Sequence, residues 1–588
     1  MRVADYIFKT LADKGVRHCF LVTGGGAMHL NDALRLEKRI KPVCCHHEQA
    51  CAIAAEGYYR ASGRLPVVSV TTGPGGTNAL TGVIGAWLDS IPMIVISGQV
   101  KYSTTIASCP EVPLRQLGDQ EINIIDIVRP VTKYAMMVTE PNQICRELEK
   151  AISIATSGRP GPVWLDVPLN VQGAPLDEPV SMPTECEHKS SWDSAEMDDV
   201  AKRVVASRRP IIIAGHGIEL DHVEDELVAL AEKCGLPVLS TFCGMNVIPS
   251  DHPLSFGRIG TIGQRAANFI LQNADLIISI GSRNNIRQVS YNWENFGKRA
   301  KKIIVDIDPA ELVKPTVKPD LAICCSAADF IRAWVARDMD CRRPDWLAWC
   351  EKMRRKYPPH TPDQMVCEGG VNPYHLSAIL SEHCPSDIAI AIGNGTVSIA
   401  AFQTWMRKRG QRIFCNSGCA SMGYDLPAAI GAAVSGYKTI CLAGDGSLMM
   451  NIQELETVVY NRLPIKIFIF DNHGYTSIRQ TQGNLFSKEF IGCDSASGVG
   501  FPDFMRLCAA FGLKVSSLNN HEKMQFIMTQ IFSDWTPEVI VVDIPATLGF
   551  SPKLSARRLP DGTMESPSLE DMFPFLDRAE MEENICNN

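Results

Sequence analysis

The sequence lacks the features that mark several large classes of protein. Although 21 of its 588 residues are cysteine, no two have the C-x-x-C spacing of a zinc or redox site. No apolar run is long enough to cross a membrane. The first twenty residues are amphipathic rather than a charged region followed by an apolar core, so we expect no signal peptide. The net charge of −8 excludes the basic excess of a nucleic-acid-binding protein.

What is present is an ordinary globular composition, with 45% hydrophobic and 21% charged residues. The cysteine pairs Cys44-Cys45 and Cys324-Cys325 are interpreted as buried thiols in a reducing compartment. We therefore expect a cytoplasmic enzyme without nucleic-acid or membrane partners. Its length exceeds what one hydrophobic core supports and predicts three or four domains.

Short apolar runs alternate with helical periodicity in three blocks, which predicts the α/β class with doubly wound parallel sheets. The predicted domains are residues 1–172, 190–340 and 365–548, followed by a tail at 549–588. Leu176–Asp193 is predicted to be a linker, and Arg342–Gly369 a connector that includes a helix. The predicted strands are His18–Leu21, Val67–Val70, Met93–Ser97, Val163–Val167, Ile211–Ala214, Leu276–Ile280, Lys302–Ile307, Ile388–Ile392, Ile440–Ala443, Ile465–Phe470 and Glu538–Val542.

The third block contains the most informative motif. One predicted strand runs into Gly444-Asp445-Gly446, a helix follows, and the next strand ends just before Asn472. This βαβ unit places acidic and amide oxygens at the carboxyl ends of two strands, where open α/β sheets bind ligands. The glycines permit close backbone approach, and the amides that open the helix suit a phosphate. Asp445 and Asn472 supply hard oxygen ligands that Mg²⁺ accepts beside phosphate.

This arrangement resembles the diphosphate-binding motif of thiamine diphosphate (ThDP) enzymes, in which GDG precedes a helix and a strand ending in Asn-Asn. The first asparagine is Asp471 here, whereas the ligand position, Asn472, is unchanged. The resemblance implies that Mg²⁺ is bound by Asp445, by Asn472 and by the backbone carbonyl of Gly474.

The first block resembles the pyrimidine-binding domain of the same enzymes. Glu48 follows His46 and His47 at the start of a predicted helix, and a glycine-rich loop spans Thr72–Asn78. By itself, a glutamate at a helix start is explained as a residue that complements the helix dipole. The resemblance implies instead that Glu48 hydrogen-bonds N1′ of the aminopyrimidine and activates the cofactor, with the two histidines as neighbours in the wall.

The resemblance covers nearly the whole chain and is nearest to the acetolactate synthases. Gln120 either faces the reacting centre or is a surface glutamine. Met422 is either the apolar wedge that bends ThDP or a core-filling residue. The residues assigned to ThDP on this basis are Gly25, Gly26, Glu48, Pro74, Asn78, Asn394, Gly395, Ala420, Met422, Gly444, Asp445, Gly446, Ser447, Asn472, Gly474 and Tyr475.

The second block resembles the FAD-binding domain of acetolactate synthases and pyruvate oxidases. In acetolactate synthases the flavin has no redox task, so bound FAD would not imply oxidation. The alternative is that these loops only connect strands, as in flavin-free relatives. The residues assigned to FAD are Arg159, Gly260, Thr261, Gly263, Gly281, Arg283, Asp306 and Asp308.

Two departures from related patterns bear on the reaction. Simple 2-oxo-acid decarboxylases have an acidic residue at Gly25 and a histidine pair that residues 98–108 lack, so carboligation is favoured. Thr481 replaces the tryptophan that acetolactate synthases place beside the acceptor pocket, and with Gly25 it would leave room for a bulkier acceptor.

We therefore expect a ThDP- and Mg²⁺-dependent, FAD-binding carboligase that decarboxylates pyruvate and transfers the two-carbon unit to a second carbonyl compound. The alternatives are the same chemistry with a nucleotide-linked 4-keto sugar as acceptor, and a flavin-dependent pyruvate oxidase. In the family the two ends of ThDP contact different subunits, which implies a homodimer or homotetramer with shared sites.

Overall fold

The structure, a computed structural model, describes residues 1–176, 192–337, 341–486, 489–558 and 561–586. These residues form three six-stranded parallel sheets with flanking helices, and the α/β fold class predicted from the sequence is confirmed. Residues 177–191 of the predicted linker Leu176–Asp193, and the predicted boundaries at residues 190 and 340, lie outside the described residues. The remaining domain limits stay predictions.

The first sheet has the strand order β2-β1-β3-β4-β6-β5. Every residue of β3, β4 and β6 is buried, because helices cover both faces of a parallel sheet. Its strands are β1 His18–Leu21, β2 Lys41–Cys44, β3 Val67–Val70, β4 Met93–Gln99, β5 Tyr134–Met137 and β6 Pro162–Pro168. Its helices are α1 Val3–Asp13, α2 Met28–Leu36, α3 Glu48–Ser62, α4 Pro74–Leu88, α5 Ile124–Val128, α6 Gln143–Thr156 and α7 Leu169–Gln172.

The second sheet has the order β12-β11-β10-β7-β8-β9. The connector to the third sheet contains a helix, α15, as expected from the sequence. The strands are β7 Pro210–Ala214, β8 Val238–Ser240, β9 Ser255–Arg258, β10 Leu276–Ile280, β11 Lys301–Asp306 and β12 Leu321–Cys324. The helices are α8 Ser194–Ala206, α9 His216–Leu220, α10 Glu224–Cys234, α11 Arg265–Asn273, α12 Ile286–Val289, α13 Pro309–Val313, α14 Ala327–Val335 and α15 Pro344–Lys356.

The third sheet has the order β14-β13-β15-β16-β18-β17, so the direction of winding reverses between β13 and β15. Its strands are β13 Ile388–Ile392, β14 Arg412–Phe414, β15 Lys438–Gly444, β16 Ile465–Asp471, β17 Lys514–Leu518 and β18 Glu538–Asp543. Its helices are α16 Pro373–His383, α17 Thr396–Thr404, α18 Asp425–Val434, α19 Asp445–Leu448, α20 Glu454–Tyr460, α21 Thr476–Leu485, α22 Phe504–Ala510 and α23 Glu522–Ile531.

The tail packs against the second sheet's layer of helices. Asn268 of α11 donates a hydrogen bond to the carbonyl of Leu569, and Asn273 donates one to that of Asn584. Two short antiparallel strands and one helix form within it: β19 Arg557–Arg558, β20 Met564–Glu565 and α24 Arg578–Glu583.

Helices α3 and α18 join the first and third sheets in one continuous core. A Cβ added at Gly57 would lie 2.2 Å from the Ala428 oxygen, and one at Gly431 would lie 1.8 Å from the Ala54 oxygen. Only glycine permits such contacts, so these two helices pack backbone to backbone. This packing fixes the carboxyl edges of the first and third sheets relative to each other.

The burial predicted for the two cysteine pairs was wrong for Cys44, which is exposed, while Cys45 and Cys325 are buried and Cys324 is half-buried. Cys44 and Cys324 end the edge strands β2 and β12, where one side of the strand has no neighbour. Within the described residues, no helix is both long enough and apolar enough to span a bilayer.

Candidate active site

The predicted diphosphate-binding residues lie at the carboxyl edge of the third sheet, where its winding reverses. Gly395 follows β13 and precedes α17, and Asp445 follows β15 and opens α19. Strands β13 and β15 are neighbours, and β16 lies beside β15. Such a switch point opens a crevice outside the strand ends, so the sheet order brings the motif residues together.

The three predicted Mg²⁺ ligands converge at this crevice. The amide oxygen of Asn472 is 2.5 Å from the Gly474 carbonyl oxygen and 3.2 Å from Asp445 Oδ2. Asn472 Nδ2 donates to Thr396 Oγ1 at 2.8 Å. Turning the amide over would place its nitrogen between the two oxygens, which is the arrangement a metal-free site favours. In either orientation the Asn472 amide lies beside the Gly474 carbonyl and the Asp445 carboxylate, and a carboxylate, an amide and a backbone carbonyl are donors that fit a hard cation.

The Asp445 carboxylate is held rigidly. Its two oxygens accept hydrogen bonds from the backbone N–H groups of Gly446 (2.6 Å) and Gly474 (2.8 Å), and burial raises its pKa to about 6. Among the described residues, no three His, Cys, Asp or Glu side chains group as a metal site. The one-carboxylate donor set therefore suits Mg²⁺ completed by phosphate oxygens better than a dedicated protein cage.

Small residues keep the crevice open beside these ligands. A Cβ at Gly446 would lie 2.0 Å from the ring of Tyr475, so glycine alone lets that ring cover the start of α19. Ser447 Oγ accepts a hydrogen bond from the Gly423 N–H at 2.9 Å. Gly395 adopts a φ of 72° and leaves the first turn of α17 accessible.

The turn before α18 carries the predicted wedge. Ala420 has a φ of 52°, a left-handed conformation that costs a non-glycine residue roughly 1–3 kcal/mol. Its amide donates to the Asn416 carbonyl at 2.7 Å, and Asn394 Nδ2 donates to the Ser421 carbonyl at 2.7 Å. Met422 is half-buried at the end of this turn. The strained backbone and the partial exposure of Met422 are more typical of a ligand contact than of plain core filling.

The predicted pyrimidine half-site lies at the carboxyl edge of the first sheet. Glu48 opens α3, is 8% exposed, and accepts a hydrogen bond from Asn78 Nδ2 at 3.0 Å. Pro74 is the first residue of α4, after Gly73 with a φ of 63°. His47 caps α3 by accepting from the Gln49 N–H, so its ring is used structurally.

One residue of this half-site was missed by sequence analysis. Glu454 of α20, fully buried, accepts the His46 N–H at 2.9 Å and the Thr457 hydroxyl at 2.6 Å. Burial raises its pKa. Glu454 therefore holds the backbone just before Glu48 from the third sheet's side. No sequence pattern indicates this contact, since the two segments are 408 residues apart.

The other predicted residues of the first block line the same edge. Gly26 donates its N–H to Thr71 Oγ1 at 3.1 Å, and its carbonyl accepts from Gln172. Gly25 is exposed, and a Cβ there would meet nothing within 4 Å. Gln120 is exposed and has a φ of 59°. A Cβ added at Gly73 would lie 2.1 Å from the Gln120 carbonyl oxygen. The described chain thus leaves Gln120 and Gly25 open on one face of the half-site.

The residues predicted to bind FAD fall into two groups. Arg159, Gly281, Arg283 and Asp306 line a cleft between the first and second sheets. Asp308 is next to that cleft and pairs with Arg159. Gly260, Thr261 and Gly263 do not line this cleft, and Thr261 instead accepts the Leu554 N–H of the tail.

The cleft is narrow because its charged groups already pair with one another. Arg159 contacts Asp308 and Glu311, each at 2.9 Å, and Arg283 contacts Asp89 at 3.1 Å. Gly281 has a φ of 59° and lies against Gly217, which only glycine allows. The cavity measures about 100 Å³, below the roughly 300–1,000 Å³ of typical ligand pockets. The two arginines are suited to the diphosphate of an anionic dinucleotide. To bind it, they would have to break their ion pairs with the protein's carboxylates.

The predicted acceptor position at Thr481 is exposed on α21, where its hydroxyl bonds the Ser477 carbonyl at 2.9 Å. Its neighbour Gln480 lines a much larger cavity of about 980 Å³ between α21 and the tail. The helix that follows the metal ligands thus forms one wall of a roomy cavity.

Comparison with known families gives matches along most of the chain. Residues 1–124 match the thiamine pyrophosphate enzyme N-terminal TPP binding domain, residues 197–334 the central domain, and residues 391–544 the C-terminal TPP binding domain. Thiamine pyrophosphate (TPP) is ThDP under its other name.

Several known proteins are similar over nearly their whole length. Acetolactate synthase isozyme 1 large subunit of Escherichia coli is 33% identical, over 92% of this chain and 94% of its own. The probable acetolactate synthase large subunit of Methanocaldococcus jannaschii is 32% identical over 89% of both chains. Acetolactate synthase 1, chloroplastic, of Zea mays is 30% identical over 92% of this chain and 85% of its own.

Proposed function

The chain belongs to the thiamine pyrophosphate enzymes and is acetolactate synthase-like over most of its length, and on that premise we propose that it is a pyruvate carboligase. Pyruvate would lose carbon dioxide, and the remaining two-carbon unit would form a carbon–carbon bond with the carbonyl carbon of a second substrate. The observation that carries the proposal is the convergence of the Asp445 carboxylate, the Asn472 amide and the Gly474 carbonyl at the switch point of the third sheet.

ThDP, when bound, supplies an electron sink that permits loss of carbon dioxide from a 2-oxo acid. Asp445, Asn472 and the Gly474 carbonyl would hold Mg²⁺ and, through it, the diphosphate. Met422 would support the middle of the cofactor, and the Ala420 carbonyl would accept a hydrogen bond from its amino group. The rigid Asp445 carboxylate and the strained Ala420 backbone support these roles.

Glu48 would hold a proton against N1′ of the aminopyrimidine. Its near-complete burial and its hydrogen bond from Asn78 fix the carboxylate in a poorly solvated place, where an interaction with a ring nitrogen is strong. The hydrogen bond from Asn78, and that between Glu454 and the His46 N–H, would keep the Glu48 carboxylate oriented toward N1′.

The acceptor is pyruvate or a bulkier ketone. Gly25 and Gln120 leave the pyrimidine half-site open, and Thr481 takes the place of a large indole. The decisive experiment is to incubate purified protein, ThDP and Mg²⁺ with pyruvate alone, and then with nucleotide-linked 4-keto sugars. Acetolactate by mass would support the first acceptor and a branched sugar two carbons larger the second. No consumption of pyruvate in either mixture would refute carboligation.

We propose FAD as a further cofactor, held by Arg159 and Arg283 in the cleft of the second sheet. Support comes from the two arginines, the glycine contact at Gly281, and His216 Nε2, which is buried without a hydrogen-bond partner. Adding pyruvate without air separates the two roles of a flavin. A flavin that keeps its yellow colour agrees with a non-redox role, whereas bleaching would favour the oxidase alternative.

We also propose that the active unit is at least a dimer in which Glu48 of one subunit and Asp445 of the other serve one site. Support comes from exposed apolar side chains near both half-sites, with Met28 52%, Met450 48% and Ile478 45% exposed. Mixing inactive Glu48→Gln and Asp445→Ala subunits tests this directly. Shared sites require that activity reappears in the mixture, since mixed dimers hold one intact site. Continued inactivity after subunit exchange would contradict it.

A further inference from the structure

The large cavity beside α21 has a construction that pyruvate does not explain. Its walls are α21, the connector turn at Pro362–Met365, and the start of the tail from Leu548 to Ala556. Its volume of about 980 Å³ lies at the upper end of ligand pockets, which run from roughly 300 to 1,000 Å³. A three-carbon acid would occupy a small part of such a space.

Among the described residues that line the cavity, Lys553 is a cation without a counter-charge. Lys553 is half-buried and donates a hydrogen bond to Gln480 Oε1 at 2.9 Å. Within the described part of the chain, no carboxylate comes within ion-pairing distance of its Nζ. The one acidic residue in the lining, Asp363, is exposed at the rim. Burial lowers the pKa of Lys553, which shows that its charge is poorly solvated, and a bound anion would recover that cost.

One aromatic ring lies near this lysine, and two others line the same cavity. The Nζ of Lys553 lies 5.8 Å from the centre of the Phe550 ring, which is itself buried. Phe486 and Phe573 also line the cavity and are 66% and 45% exposed. Exposed phenylalanines beside a cation form the combination that binds a planar base next to a phosphate group.

We propose that this cavity binds the nucleoside diphosphate portion of the acceptor, with Lys553 against the diphosphate and the phenylalanines against the base. This inference rests on the proposed carboligase function and names the class of its second substrate. Gln480 lies on α21, which begins two residues after Gly474, and we place the sugar end of such an acceptor on that side of the cavity, toward the crevice of the third sheet.

The test is binding of a pyrimidine nucleoside diphosphate to holoenzyme saturated with ThDP, Mg²⁺ and FAD, measured by titration calorimetry. Saturation with both cofactors keeps the probe out of their sites. We expect saturable binding to the wild type, at least about tenfold weaker binding to Lys553→Met, and near-normal binding to Lys553→Arg. Lys352→Met, at an exposed position on α15, is the matched control and should bind as the wild type does.

Absence of saturable binding to the wild type, or equal affinity in Lys553→Met, would overturn the proposal. Inorganic diphosphate and the uncharged nucleoside are titrated as separate arms, and each should bind more weakly than the whole nucleoside diphosphate. Pyruvate consumption is measured on the same samples. Turnover without nucleotide binding would contradict the nucleotide site and leave the carboligase proposal standing. Lys553-dependent binding without any turnover would support the nucleotide site and contradict the carboligase proposal.

Discussion

The second and third sheets share a fold but differ at their carboxyl edges. Both are six-stranded, doubly wound and fully parallel, and both carry glycine turns at that edge. In the third sheet, the Asp445 carboxylate, the Asn472 amide and the Gly474 carbonyl converge, and these groups suit a bound cation. At the edge of the second sheet, Arg283 and also Arg159, which comes from the first sheet's side of the cleft, are already paired with carboxylates of the protein. The same architecture thus has one edge whose polar groups suit a bound cation and another whose charged side chains pair with one another.

Removing the metal ligand should produce the largest effect. Asp445→Ala should abolish Mg²⁺-dependent ThDP retention and lower activity by at least about a hundredfold, since even indirect metal partners are worth 10–100-fold. Fluorescence titration with ThDP and Mg²⁺ measures retention. Asp543→Asn is the matched control, because Asp543 ends the nearby strand β18 but faces His473. Unchanged cofactor content in Asp445→Ala would refute the assignment of this edge.

The pyrimidine half-site should show a purely catalytic effect. Glu48→Gln keeps the size and the Asn78 contact but removes the acidic proton, so turnover should fall roughly 10²–10⁴-fold with ThDP retention unchanged. Steady-state rates and the same titration separate the two quantities. Turnover close to that of the wild type would end the proposed role of Glu48.

Loss of the hydrogen bond between Glu454 and the His46 N–H, just before Glu48, should have an intermediate effect. Glu454→Ala removes the acceptor of the His46 N–H, a part-buried hydrogen bond worth about 1 kcal/mol, and frees the loop before Glu48. We expect roughly tenfold slower turnover and a changed pH–rate profile, with largely normal activity in Glu454→Gln. Equal loss in both variants, or a change in thermal stability alone, would mean that the residue only supports the fold.

The second sheet should respond more weakly and through flavin content. Arg159→Ala removes a charge-assisted contact and should lower FAD affinity roughly tenfold or more while leaving ThDP retention intact. Flavin absorbance per protein after gel filtration measures this. Arg203→Ala on α8, where the arginine pairs with Asp199, is the control. If neither variant nor the wild type retains FAD, the cleft is not a flavin site.

The smallest effect concerns stability and pH. Burial raises the pKa of Asp306 to about 6 from its ordinary 3.8, so the folded state binds its proton more tightly. The resulting stability is present below pH 3.8 and is lost as pH rises through about 6, by at most about 3 kcal/mol. Chemical denaturation of the ligand-free protein at pH 4.5 and pH 7 should show a smaller decline in Asp306→Asn. An identical decline in both proteins would contradict this.

The strands show which parts of the fold were predictable. The eleven strands predicted from the sequence all lie inside their sheets, with a strand on either side, and most of their residues are buried and apolar. The six edge strands were missed, together with the three-residue β8. Strands such as β17, with the sequence KVSSL, carry polar residues because one side has no neighbour. Their pairing depends on tertiary contacts, which local periodicity does not record.

The candidate site divides in the same way. The meeting of Asp445 and Asn472 follows from strand order, so motif spacing was sufficient to bring them together. The contact of Glu454 with His46 joins segments 408 residues apart and follows from helix packing alone. The narrowness of the FAD cleft depends on which carboxylates Arg159 and Arg283 meet in space, and no spacing predicts that.

The glycine contacts between α3 and α18 have a consequence for dividing this protein. Because the main chains of these helices touch at Gly57 and Gly431, separating them would expose a closely packed surface that belongs to one continuous hydrophobic core. Dividing the chain within residues 177–191 would therefore give two fragments with exposed core surfaces rather than two independently folding domains. The two parts of this enzyme therefore have to be expressed and engineered together.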